Sequence, residues 1–243
     1  MAFYGDDLTF VHDAGFTGYV RGAMGGLLAM LRERGINDGL VVDLGCGGGV
    51  WAGELVDHGY DAHGVDISEA MIELCKTRVD APPGRRVSFE CASLHHVELP
   101  RCRAVTAIGE CLNYVASEDA VGGVGALFGK IHDALEPGGF LAFDALLPGC
   151  GDKRVGLSGD DWAIISENSE DAQKGEYTRR ITTFRRDEAT ELYRRAEEMH
   201  RLRLIARDEL VRLMESAGFD VETGTRYGEF EIPPGRAVFI GSR

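Results

Sequence analysis

Apolar positions along this chain follow two rhythms, one in each half. Val20, Met24, Leu27, Leu28 and Leu31 recur at helical spacing and Gly35 offers a stop, which predicts a helix from about Tyr19 to Arg34. Residues 1–18 are rich in aromatics and acids and show no clear period. GLVVDLG has the unbroken apolar run of a strand buried on both faces. A helix over 50–58 ends near Gly59, and YDAHGVDI is the second strand. Ser68 is the expected N-cap of a helix from Glu69 to about Val79. APPGRR breaks the chain, RVSFECA and RAVTAIG are strands three and four, and a helix covers roughly Ala120 to Leu135. EPGG is a turn before a fifth strand, FLAFDAL. Such alternation specifies a parallel sheet with helices on both faces.

The second half loses the helical beat. Residues 150–160 read as loop. WAIISE, YTRRITTFRR and YRRAEEMHRLRLI then read as three antiparallel strands with no helix between them. ARDELVRLMESAGF restores a helix, and DVETGTRYG and RAVFIGS are two more strands, turned by Pro233, Pro234 and Gly235 into a hairpin at the end of the main sheet. The organisation expected is an α/β core over 1–149, an antiparallel β insertion over 150–205 and the C-terminal part of the core over 206–243.

Composition narrows the partners. The 243 residues are 44% hydrophobic, enough for a sizeable core, and carry a net charge of −14. That charge argues against nucleic acid and anionic membrane surfaces. Six cysteines (Cys46, Cys75, Cys91, Cys102, Cys111, Cys150) form no CxxC pair, so neither a zinc site nor a disulfide framework is expected. MAFYGDDLTF lacks the basic and apolar regions of a signal peptide, and no run is long enough to span a membrane. A soluble cytoplasmic protein is the default expectation.

The chemistry concentrates in VVDLGCGGG, residues 41–49. An apolar strand ends in an acid, Asp43, and passes into a loop with glycines at 45, 47 and 49 before a helix begins. Glycines let a ligand approach bare backbone, and the helix N-terminus turns free N–H groups toward it. Asp66 ends the second strand, 23 residues after Asp43, where a carboxylate accepts both hydroxyls of a ribose. Together these define a nucleoside cofactor site. Read from Gly45, the dinucleotide fingerprint fails because Val50 stands at its third glycine; read from Gly47 it is formally met by Ala52. Asp43 and the helix before the first strand favour S-adenosyl-L-methionine over a nicotinamide dinucleotide.

With GVDIS, AIGECLNYV, EPGG, the helix ending SAGF and the terminal hairpin added, the chain resembles the class I S-adenosylmethionine-dependent methyltransferases over nearly its whole length. A weaker likeness, carried by the antiparallel insertion, is to the amino-sugar N-methyltransferase and glycine N-methyltransferase groups. The resemblance implies a doubly wound, seven-stranded Rossmann-like sheet whose last strand runs antiparallel. It implies that Asp43 orders the loop and meets the methionyl amine, that Gly45 offers its carbonyl to that amine, and that Gly47 and Gly49 allow close approach. Asp66 would hold the ribose, Ile67 the adenine face, and Arg21 the methionyl carboxylate. Relatives carry an Asp near the end of the third strand for the adenine amine; here the segment is CASLHH, so Ser93 or the backbone beside it at Leu94 must serve. Phe16 and Tyr19 would belong to an N-terminal helical lid, and His95 and His96 lie near the adenine edge.

The expected reaction is in-line transfer of the sulfonium methyl to a small-molecule acceptor, leaving S-adenosyl-L-homocysteine. Its main requirement is alignment. Glu110, Asn113 and Tyr114 follow the fourth strand, whose carboxyl end faces the transferred methyl in this fold. Glu110 is read as contacting either the cofactor or a cationic acceptor. A hydroxyl acceptor needs a base as well, for which His200, His12 and Tyr227 are candidates; His200, Tyr114 and Glu110 form the expected catalytic set. Residues 177–207 hold nine arginines (Arg179, Arg180, Arg185, Arg186, Arg194, Arg195, Arg201, Arg203, Arg207) and no lysine. They are read as a solvated face with cross-strand ion pairs, as a lid recognising an acceptor carboxylate or phosphate, or as a homodimer surface. The acceptor expected is an amine or hydroxyl of a sugar or other specialised metabolite. An NAD(P)-dependent oxidoreductase and a non-catalytic S-adenosylmethionine-binding protein are the alternatives.

Overall fold

The computed structural model describes residues 4–114 and 120–243. Helix α1 spans Asp6–Glu33, followed by β1 Leu40–Leu44, α2 Val50–Asp57, β2 Asp61–Asp66, α3 Glu69–Arg78, β3 Val87–Cys91, β4 Cys102–Ala107, α4 Ala120–Ala134 and β5 Leu135–Leu146. Then come β6 Lys153–Ser158, β7 Trp162–Asp171, β8 Glu176–Arg186, β9 Tyr193–Arg203, α5 Arg207–Ser216, β10 Asp220–Gly224, β11 Arg226–Tyr227, β12 Phe230–Glu231 and β13 Arg236–Ser242. The main sheet has seven strands in the order β10-β13-β5-β4-β1-β2-β3. β1 pairs in parallel with β2 and β4, while β13 runs antiparallel to both β5 and β10. The doubly wound sheet with an antiparallel last strand is therefore present.

Two apolar layers sandwich this sheet. Leu127, Phe128 and Ile131 of α4 and Met214 of α5 pack on one face with Phe143 and Phe239. Leu27 and Leu31 of α1 and Trp51 and Leu55 of α2 cover the other, against Val41, Phe140 and Val238. Ser68 caps α3 as expected, its hydroxyl accepting the Met71 N–H at 3.2 Å.

Four readings change. Helix α1 starts at Asp6, well before Tyr19, with Asp6 and Asp7 complementing its first turn. Its early apolar residues, Leu8 and Val11, pack against Ile164 and Ile181 of the insertion, a partner distant in sequence, so no single-helix stripe announced them. The segment 150–160 contains a strand, β6, every residue of which is exposed; the ladder to β7 makes it, not a buried face. The insertion is thus a four-stranded antiparallel sheet, β6-β7-β8-β9. Third, DVETGTRYG breaks, and Arg226–Tyr227 leaves the main sheet to pair with Phe230–Glu231. Fourth, the EPGG turn lies inside the span of β5, as an irregularity between the Cys102–Leu135 and Ala104–Phe140 pairs with Gly138 at φ 80°. An isolated bridge from Tyr114 to Leu202 ties β9 to the loop after β4. The insertion sheet thereby roofs the carboxyl ends of the parallel strands.

Candidate active site

A cavity of about 630 Å³ opens between the strand ends and this roof. Its floor is the glycine loop. Gly45 N and Cys46 N both donate to Val65 O, at 2.7 and 3.0 Å, so the loop is bound to the end of β2. Gly45 and Gly47 line the cavity with φ of 73° and 52°. A Cβ at Gly47 would meet nothing within 4 Å, which leaves this backbone open to a ligand, whereas one at Gly45 would stand 2.4 Å from Cys111 Sγ. Gly49 departs from expectation. It caps α2 at φ 77°, lies outside the cavity wall, and keeps space for Cys75, whose Sγ is 3.0 Å from the position of its missing Cβ.

Both expected acids line the cavity. Asp66 accepts Gly47 N and Ser68 N, each at 2.9 Å, one on each carboxylate oxygen, and burial raises its pKa. Each oxygen keeps a further lone pair for a diol. Asp43 accepts the Thr106 hydroxyl at 2.8 Å, and Trp51 Nε1 donates to the same hydroxyl at 3.1 Å. Burial raises Asp43 to about 7, against the bond from Thr106. A bare backbone loop beside the buried Asp43 and half-buried Asp66 carboxylates fits an adenosyl group with a ribose diol and a methionyl ammonium. Ile67, 41% exposed, lies at the mouth, and Ser93 and Leu94 line the wall beside Ala92 and His95. His96 is exposed and outside the wall.

Arg21 does not join them. It is exposed and absent from the wall, whereas Val20 lines it. One helical residue is a rotation of about 100°, and that step turns Arg21 outward. The basic side chains in the wall are Lys153, Arg179 and Arg236.

The roof is built around Glu110, a buried residue held at φ 59° because Gly109 N and Glu110 N both donate to Asp144, at 2.9 and 3.0 Å. Its carboxylate bridges two guanidinium groups, Arg179 at 2.5 Å and Arg236 at 2.9 Å. Arg179 also donates to the Tyr114 hydroxyl at 3.1 Å, which stands 3.4 Å from the Tyr4 hydroxyl. Burial pushes both phenols up, so neither is a ready base near neutral pH. Of the nine arginines only Arg179 is in the wall; Arg185 and Arg194 pair with Asp7, and Arg186 with Asp161 and Glu191.

Three other expected positions sit elsewhere. His200 is buried outside the wall, its Nε2 bonded to Glu198 Oε2 at 2.9 Å, with the Tyr4 and Tyr114 rings packed on it at 5.0 and 5.7 Å. Alternation put it on the inner face correctly, but those two tyrosines occupy the layer between it and the cavity. Asn113 is buried and staples the roof: its amide donates to Leu146 O and Arg203 O and accepts Leu146 N. Tyr227 is buried under the sheet end and donates to Asp144 at 3.1 Å. His12 does line the cavity, stacked on Phe16, and burial lowers it to about 4, leaving a neutral imidazole. Phe16 and Tyr19 line the wall too.

Tyr4, Arg236, Lys153 and Asn168 are wall residues that sequence reasoning missed. Tyr4 is fixed from three sides. Its N–H and that of Gly5 donate to Glu198, at 2.8 and 2.9 Å, and its carbonyl accepts the Ser68 hydroxyl at 2.8 Å. Lys153, Asn168 and Arg179 form one cross-strand row over β6, β7 and β8. Alternation within each strand was the available signal; the register between strands was not.

Residues 41–139 match the methyltransferase-domain family. A protein of Geobacillus sp. (strain WCH70) named as a methyltransferase is 31% identical over 107 residues, 43% of this chain and 41% of that one. The chain spans less than half the length of the curated relatives it matches, 41% and 42%. A crystal structure of an S-adenosylmethionine-dependent methyltransferase from Clostridium acetobutylicum superposes with a TM-score of 0.80 at 17% identity, covering 96% of each chain. A sugar N-methyltransferase from Streptoalloteichus sp. superposes with a TM-score of 0.74 at 21% identity, covering 100% of this chain and 96% of that one. The fold is the one these S-adenosylmethionine-dependent methyltransferase structures share. Within it, residues 41–139 carry the methyltransferase-domain match. Nothing in these comparisons supports a nicotinamide-dependent oxidoreductase.

Proposed function

We propose that the protein methylates an amine or hydroxyl of a sugar-like or other specialised metabolite, with Asp43, Gly45, Gly47 and Asp66 holding the cofactor. The observation that carries this reading is the shared cavity: the glycine loop and Asp66 line one side, and Tyr4, Tyr114 and Arg179 line the other. The Streptoalloteichus protein's title names a sugar N-methyltransferase, which agrees with a small acceptor. A roofed cavity of about 630 Å³ favours a discrete molecule over a polymer. When bound, the cofactor supplies an electrophilic methyl on a sulfonium.

The residues of the chain then have to orient the acceptor. Tyr4 and Tyr114 offer two hydroxyls within 3.4 Å of each other to an acceptor heteroatom. An amine acceptor is the better match, because it needs only to shed a proton, and the phenols and neutral His12 provide hydrogen bonds rather than a strong base. Arg179 and Arg236 share the Glu110 carboxylate, and Lys153, in the same cross-strand row as Arg179, favours an acceptor that also bears an anionic group. The described residues contain no helix long and apolar enough to cross a membrane.

Isothermal titration with S-adenosylhomocysteine and with reduced nicotinamide dinucleotides tests the cofactor. Binding of the first alone is expected. Conversion of amino-sugar and hydroxy-sugar acceptors to methylated products tests the reaction. A protein that binds the cofactor yet methylates no member of a broad amine and hydroxyl panel would return the reading to a binding module.

A further inference from the structure

Two thiols meet beneath the glycine loop. Cys46 belongs to the loop and lines the cavity; Cys75 projects from α3 and is fully buried. Their sulfurs are 3.9 Å apart. Cys75 Sγ also donates to Gly47 O at 3.0 Å, and Gly47 N in turn holds Asp66. We infer that Cys46 and Cys75 form a reversible disulfide that switches the cofactor cradle off under oxidising conditions. The inference rests on the reading of this loop as the cradle for the adenosyl group.

Hydrogen peroxide is the oxidant required. It enters through the cavity and meets Cys46, the pair's only member in the wall. The Cys46 sulfur attacks the peroxide, forming an S–O bond as the O–O bond breaks and one water leaves. Cys75 then attacks the sulfenic sulfur, forming the S–S bond and releasing the second water. Both thiol protons depart with the waters, and the two sulfurs together lose two electrons. The hydrogen bond to Cys75 and burial hold the Cys46 thiol high, so the reaction is slow at neutral pH and quickens in alkali.

The loop, rather than the helix, must move. A disulfide requires about 2.05 Å between sulfurs, well inside the present gap. Cys75 is packed against Gly49, with 3.0 Å from its Sγ to the missing Cβ position. Cys46 is therefore drawn toward α3. Cys75 gives up its bond to Gly47 O, and Gly47, the open backbone of the cradle, shifts relative to Asp66. Coupling is reciprocal, so a bound cofactor must oppose the disulfide by the same factor that the disulfide weakens the cofactor.

The test treats reduced protein with hydrogen peroxide, then combines peptide mass mapping without reductant with titration of S-adenosylhomocysteine. Exposed Cys91 gauges the oxidant dose. A peptide joining Cys46 to Cys75 is expected, with about tenfold weaker binding that dithiothreitol reverses. Saturating S-adenosylhomocysteine should slow the cross-link. Neither Cys75→Ser nor Cys46→Ser should yield the joined peptide, and in Cys46→Ser treated and untreated protein should bind alike. Full oxidation of Cys91 with no joined peptide would overturn the proposal, as would a joined peptide with undiminished affinity. Should the reduced protein not bind S-adenosylhomocysteine at all, the cofactor assignment falls, while the joined peptide still decides whether this thiol pair closes.

Discussion

The two sides of the cavity are built on opposite principles. The cofactor side is backbone: a loop of glycines hung from Val65 and trimmed by two acids. The proposed acceptor side is side chain against side chain: Tyr4, Tyr114, Arg179, Glu110 and Arg236 in one connected array, drawn from the segment before α1, the loop after β4, the insertion and β13. A backbone cradle depends on a short stretch of chain and can be rebuilt in any relative that keeps the stretch. A side-chain array depends on four distant segments arriving together, and each is free to vary with the acceptor.

Breaking the array should therefore cost the most. Glu110 is 5% exposed at its side chain between guanidiniums 17% and 19% exposed. Glu110→Ala strands two half-buried cations and is expected to destabilise the protein by about 3 kcal/mol, read by urea unfolding. A loss under 1 kcal/mol would mean that water already compensates both arginines. On the other side, Asp66→Ala removes the charged acceptor for two N–H groups and for the proposed ribose diol. It should weaken S-adenosylhomocysteine by about 2 kcal/mol, roughly thirtyfold, while the protein stays folded by circular dichroism. Tyr114→Phe should separate the sides: about 1 kcal/mol lost in kcat/KM for the acceptor, none in cofactor affinity. If both fall together, the two sides are not independent.

Asp43 links the cofactor side to pH. Its folded pKa, about 7, lies above its unfolded value, so the folded state binds the extra proton. Its contribution to stability is fully present below the unfolded pKa and is lost as pH rises through about 7. A methionyl ammonium would answer the charge that appears. The melting-temperature gain from S-adenosylhomocysteine should thus be larger at pH 8 than at pH 5.5, and Asp43→Asn should flatten the difference. The smallest effect belongs to Arg21→Ala. Exposed and outside the wall, it should change stability and cofactor affinity by less than about 0.5 kcal/mol.

What could be read in advance divides along the same line. Asp43, Gly45, Gly47 and Asp66 line the cavity as read, because the strand ends and loop that carry them lie close together in the chain. Gly49 and Arg21 show the limit even there. Gly49 shares the glycine pattern but serves the packing of Cys75, and Arg21 misses the cavity by one helical residue. On the acceptor side, Tyr114 and Glu110 were found through their place after a strand. His200 and Asn113 were placed on the correct elements, yet both are spent on internal hydrogen bonds. Tyr4 and Arg236 carried no local signal at all.

The physical reason is the range of the interactions. Strand and helix periods, the cap at Ser68 and the glycine loop are set by neighbours within a few residues, and sequence alone determined them. Which arginine of nine turns inward, which phenol meets which, and how near Cys46 lies to Cys75 depend on cross-strand register and on the docking of α1 under the insertion. Those contacts join residues up to 194 positions apart, as between Tyr4 and Glu198, and only the assembled tertiary structure decides them.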